Sequence, residues 1–179
     1  MHAAARNSRY SATVRWAHWL TVLAVAAAYL LVELGDDDEH GGTAGSAMQG
    51  HYLAGLVVLG LLLVRVIGMA LGPRPPIVPT PGHLSVLAAR VTHLALYLFL
   101  LAQPILGILA VNYAGETVTL PWSGTALPAL VHADPGAREF VEELHESLGE
   151  IFYWVIGLHV AAALWHHFVK GDNTLRRML

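Results

Sequence analysis

The sequence predicts an all-α integral membrane protein, a four-helix bundle, on three observations. Side chains are 55% hydrophobic and only 13% charged, with a mean hydropathy of +0.53, which is too apolar for a soluble domain of 179 residues. Four apolar segments are each long enough to cross about 30 Å of hydrocarbon as a helix. Four histidines, His18, His51, His145 and His159, sit within or at the start of three of these segments, at spacings that match them in depth. Residues 1–179 are expected to form one transmembrane domain.

The spans are expected at about Arg15 to Leu34, His51 to Leu71, Ser85 to Val111 and Val141 to Phe168. A helix closes its backbone hydrogen bonds internally, as lipid demands. No small-residue cleavage site follows the first span; the acidic stretch Glu33 to Glu39 does, so a retained helix is expected rather than a signal peptide. The connector Gly72 to Gly82 is proline-rich and therefore stiff and extended. Asn112 to Phe140, rich in Gly, Pro and Thr, carries Trp122, an aromatic suited to the membrane interface, and is expected to fold over the outer end.

Basic residues set the orientation. Arg6, Arg9, Arg15, Arg65, Arg74, Arg90, Lys170, Arg176 and Arg177 fall on one side of this topology and Arg138 alone on the other, which puts both termini in the cytoplasm. The acidic residues, including Asp36-Asp37-Asp38-Glu39 and Glu142-Glu143, lie mostly toward the opposite face.

His145 and His159 are 14 residues apart in the fourth span. At about 100° per residue they leave the same helix face, about 21 Å apart along its axis. With antiparallel helices, His51 lies at the depth of His145, and His18 at that of His159. The expected pairs are thus His51 with His145 on the outer side and His18 with His159 on the inner side. Two imidazoles on opposing helices form an axial set for a low-spin haem that carries electrons. Without cysteine there are no thiolate sites, iron-sulfur clusters or covalent haem attachment, so the expectation is two b-type haems held non-covalently. Two alternatives stand beside it: histidines that serve only structure, and a path for a transition-metal ion, which would need carboxylates or thiolates at membrane depth and finds mainly Glu150.

Gly55 and Gly149 follow His51 and His145 by four residues, which leaves the ligand's face clear for a flat macrocycle. His159 has Ala163 at this offset and His18 has Val22. Arg65, 14 residues after His51, shares its face at the depth of the inner pair, where a haem propionate would satisfy a guanidinium; snorkelling to the interface is the other reading. His93 is placed to meet a propionate or a quinone, or simply to sit at the interface.

Several segments together resemble the bacterial cytochrome b561 family almost end to end. They are Arg15-Trp-Ala-His18-Trp-Leu, His51-Tyr-Leu-Ala-Gly55 with Arg65, Pro75-Pro-Ile-Val-Pro79, His145-Glu-Ser-Leu-Gly149, Gly157-Leu-His159-Val-Ala-Ala-Ala-Leu-Trp-His166-His167 and Asp172-Asn-Thr-Leu-Arg-Arg-Met178. The resemblance implies two b-type haems on His18, His51, His145 and His159, in a bacterial inner membrane. It also implies electron transfer between a donor at one face and ubiquinone, with superoxide oxidised to dioxygen on the periplasmic side. Superoxide is an anion, so an acidic outer face slows its approach, and only Arg138 with protonated His40 or His132 would offset this. The alternative is an electron-transfer subunit serving a periplasmic dehydrogenase or cytochrome with a basic surface. No nucleic-acid partner is expected.

Overall fold

The computed structural model describes residues 9–36, 44–120 and 124–179. They form four long helices in antiparallel succession: α1 (Ala12–Asp36), α2 (Ala44–Leu71), α3 (His83–Tyr113) and α4 (Pro135–Phe168). With 25 to 34 residues each and a rise of about 1.5 Å per residue, all exceed the roughly 30 Å of a bilayer core. Their outer surfaces are apolar: Leu23, Ile67, Leu94 and Trp154 are each more than half exposed. In water that would be an aggregation surface; in lipid it is the solvated face. The protein is an integral membrane four-helix bundle. Trp122 and the residues Asp37, Asp38, Glu39 and His40 lie outside the described residues.

The helices extend past the apolar windows, and at α4 a side-chain cap accounts for the extension. α4 begins at Pro135 rather than near Val141, since Asp134 accepts hydrogen bonds from the backbone N–H groups of Gly136 (3.0 Å) and Ala137 (3.1 Å), and proline fits the first turn. α2 begins at Ala44, so His51 lies two turns inside the helix instead of opening it.

Packing is uneven. α1 lies along α2, α3 along α4, and α2 touches α3, while α4 makes no close backbone contact with α1 or α2 among the described residues. Gly68 allows the tight α1–α2 approach: a Cβ there would stand 2.9 Å from Cγ2 of Val14, itself 1% exposed. At mid-depth an apolar layer of Val58, Leu62, Phe99 and Leu100 fills the bundle, with Phe99 stacked on Phe152 of α4 at 4.1 Å.

The first turns of α1, the segment that follows α4 and the α2–α3 connector meet at one end. Asn173 accepts from the Val78 N–H (2.8 Å) and donates to the Pro76 carbonyl (3.3 Å), Trp19 Nε1 donates to the Met178 carbonyl (2.9 Å), and Arg15 donates to the Leu179 carbonyl. At the opposite end the α3–α4 connector is tied down by Asn112, which is 3% exposed and bonds both Glu116 O (3.1 Å) and Leu130 N (2.8 Å).

Candidate functional site: paired histidines at two depths

The space between α4 and the α1–α2 pair is bridged by imidazoles at two levels. Toward the connector end, His51 of α2 faces His145 of α4, ring centres 6.1 Å apart and planes at 84°. Toward the terminal end, His18 of α1 faces His159 of α4 at 6.5 Å and 86°. These are the pairings that depth predicted, and neither crosses levels.

The distances fit a metal held between the rings. A metal–imidazole bond of about 2 Å on each side, with roughly 1 Å from each nitrogen to its ring centre, spans about 6 Å. The tautomer of His51 suits this as well. Its Nδ1 lies 2.9 Å from the Ala28 carbonyl, which can only accept, so Nδ1 carries the proton and Nε2 keeps its lone pair. His145 Nδ1 is buried and has no hydrogen-bond partner among the described residues. Gln103 of α3 donates to the His145 backbone carbonyl (2.9 Å), and Tyr29 of α1 donates to the Gly149 carbonyl (2.7 Å), fixing α4 across the gap.

A cavity of about 1010 Å³ opens at this level, lined by both imidazoles together with Gly55, Gly107 and Gly149. That is the scale of a cofactor chamber. The glycines do not all act alike. A Cβ on Gly55 would meet only Pro104, at 4.0 Å, so this position opens onto the cavity as expected for a macrocycle face. On Gly149 it would stand 3.3 Å from Gln103 Nε2, so this glycine also accommodates the side chain that braces His145. Gly107, which no histidine-based spacing singles out, would bring a Cβ to 3.4 Å from His145 Cε1. The rim is acidic: Glu33, Glu116, Glu142, Glu146 and Glu150 line it, and Arg138 is paired with Glu142 at 3.2 Å.

At the other level Arg65 turns inward, as expected, but its partner is an imidazole rather than a carboxylate: Nη1 lies 2.9 Å from His18 Nδ1. The guanidinium also lies over the Tyr97 ring, 5.5 Å from its centre, and its buried Nε is without a partner among the described residues. A buried guanidinium with an unused donor suits an anion such as a propionate. His93 of α3 completes the group, its ring 5.4 Å from that of His159. Beyond the end of α4, the carboxylate of Asp172, 4% exposed, sits 2.5 Å from His166 Nδ1.

Four membrane helices and two levels of facing imidazoles define a transmembrane bundle suited to electron carriage. The sequence model described as "Prokaryotic cytochrome b561" matches residues 9–179, and the chain belongs to that family, which binds b-type haem. It is 35% identical to "Cytochrome b561 homolog 1" of Escherichia coli (strain K12) over 96% of this chain and 97% of that protein. It is 34% identical to "Probable superoxide oxidase CybB" of Yersinia pestis over 97% of each, and 33% identical to "Cytochrome b561 homolog 2" of Escherichia coli (strain K12) over 96% of this chain and 91% of that protein.

Proposed function

We propose that the chain, as one transmembrane domain, is a di-haem b oxidoreductase of the bacterial inner membrane that passes electrons between a donor at the outer face and ubiquinone. His51 with His145 would ligate the outer haem, and His18 with His159 the inner. The observation that supports this most is the two imidazole pairs, 6.1 and 6.5 Å apart, that face each other across the gap between α4 and its histidine-bearing neighbours. Each bound haem supplies one reversible electron. The chain's part is to orient His51 through Ala28, brace α4 through Gln103 and Tyr29, and offer Arg65 to a propionate. Its positive residues cluster at the terminal end, which favours that end in the cytoplasm.

The donor we favour is superoxide, in line with the name of the Yersinia relative. Each superoxide gives up one electron and leaves as dioxygen; two such electrons and two protons convert ubiquinone to ubiquinol. A second reading, an electron-transfer subunit for a basic periplasmic partner, draws on the acidic rim. A dithionite-minus-air spectrum of purified protein, with haem quantified per chain, tests the first claim: two b-type haems are expected, and no reduced b-type band would overturn it. Ubiquinone reduction driven by a superoxide generator tests the second. Indifference to superoxide, or co-purification with a basic redox protein, would favour the subunit reading.

A further inference from the structure

The segment after α4 folds back against the start of α1. The Tyr10 N–H donates to the Arg177 carbonyl (3.1 Å), and Trp19, the neighbour of His18, donates through Nε1 to the Met178 carbonyl (2.9 Å). The Arg177 side chain is held in turn: it lies over the Tyr10 ring, 5.0 Å from its centre, and its Nη2 donates to the Tyr10 hydroxyl (2.8 Å). A guanidinium is thus fixed beside the inner level.

The rest of that guanidinium is unused. The Nε of Arg177 is buried and has no partner among the described residues, and the same holds for Arg65. Neither arginine belongs to an ion pair among the described residues. Their charges nevertheless converge, since both act on His93, whose ring lies 5.4 Å from that of His159. Arg15 also has a buried, unpartnered Nε, but it donates to the Leu179 carbonyl and is not among the charges that bear on His93. Two cations gathered in a partly buried place repel each other, and leaving them uncompensated is costly. The inner level therefore calls for two negative charges. At the outer level the one arginine, Arg138, is already paired with Glu142.

We propose that Arg177 binds one propionate of the inner haem while Arg65 binds the other, so that the segment after α4 closes the inner cofactor site. A b-type haem carries two carboxylates, which match two forked donors. Arg177 is a positioning residue: it holds a carboxylate, and its charge favours the reduced state, which carries one more electron. This rests on the assignment of the inner haem to His18 and His159.

The test is an optical redox titration of the full chain in nanodiscs, with haem quantified per chain by pyridine haemochromogen; the component missing from His159→Ala marks the inner haem. Arg177→Gln should lower the midpoint potential of that component alone. The expected change is about tenfold in its reduced-to-oxidised ratio, or about 59 mV for one electron. Arg177→Lys, which keeps the charge but not the fork, should recover most of the potential yet release the inner haem to apomyoglobin about tenfold faster than wild type. Arg176→Gln removes the same charge from the exposed neighbouring residue and should move neither potential. An unchanged inner potential in Arg177→Gln, an equal fall in Arg176→Gln, or wild-type haem retention in Arg177→Lys overturns the proposal; the last can be read even where Arg177→Gln fails to assemble. The Arg177→Gln shift should be the same in phosphatidylcholine and phosphatidylglycerol. A shift confined to phosphatidylglycerol would make a lipid headgroup the bound anion and overturn the propionate assignment. Retention of both haems in His159→Ala instead overturns the ligand assignment on which the proposal stands.

Discussion

Replacing His51 by alanine removes one of two imidazoles that bridge the 6.1 Å gap at the outer level. No other imidazole is at hand to take over. The cavity lining contains no further histidine, and on α4 the next imidazole inward is His159, about 21 Å along the axis. Loss of a positioning group around a metal already lowers affinity by about 10- to 100-fold, and loss of an axial ligand exceeds that, more than about 2.7 kcal/mol. His51→Ala should therefore halve the haem per chain, and His145→Ala should remove the same spectral component. Because the pair acts as a unit, the double variant should lose no more than either single one. Haem-to-protein ratios and low-temperature reduced-minus-oxidised spectra of the three variants provide the assay. A double variant that loses both haems, or a His51→Ala protein whose missing component matches that of His159→Ala, would refute the two-level pairing.

Gly68→Ala drives a Cβ to 2.9 Å from buried Val14, a stiff β-branched side chain; a loss of about 1–3 kcal/mol is expected, seen as earlier thermal unfolding in detergent and relieved by adding Val14→Ala. For Asp172, burial raises the carboxyl pKa, but hydrogen bonds from His166 and Thr174 outweigh it and hold the group below its ordinary value. A depressed pKa contributes stability that is present above the unfolded value of 3.8 and lost as pH falls through the folded one. Wild-type detergent stability should thus decline below that pH, whereas Asp172→Asn should be less stable at neutral pH by about 1–3 kcal/mol and flat across the acid range; a wild-type acid profile parallel to that of the variant refutes this. Glu142→Gln releases Arg138 from its ion pair and should raise superoxide-driven quinone reduction roughly two-fold at low salt, with the gain disappearing at high ionic strength. An equal gain at all salt concentrations would point away from steering.

Both levels of the site were legible in the sequence because depth in a membrane helix is a one-dimensional quantity. Fourteen residues separate His145 from His159 and His51 from Arg65, and helix rise alone converts those spacings into matched heights. What spacing does not carry is rotation of one helix about its axis relative to another. Gly107 and His93 both lie on α3, and only the packed bundle turns one toward His145 and the other toward His159. The early start of α2 is hidden for another reason: apart from Met48, residues 44–50 are small or polar, so an apolar window begins only at His51 although the helix continues outward. Helix rise alone brings Arg65 to the height of His159, but its bond to His18 depends on side-chain reach that height does not specify.

The helix contacts divide the bundle into two hairpins, α1 with α2 and α3 with α4. His18 and His51 belong to the first hairpin, His145 and His159 to the second. On the proposed ligation, each haem would therefore fasten one hairpin to the other, with no ligand pair lying inside a single half. Two inserted hairpins could reach the bilayer separately and remain loosely associated until the macrocycles rivet them, so that cofactor supply, rather than helix insertion, would time the final step of assembly. Cutting the chain in the proline-rich connector between α2 and α3 would then leave two fragments that find each other only when haem is present.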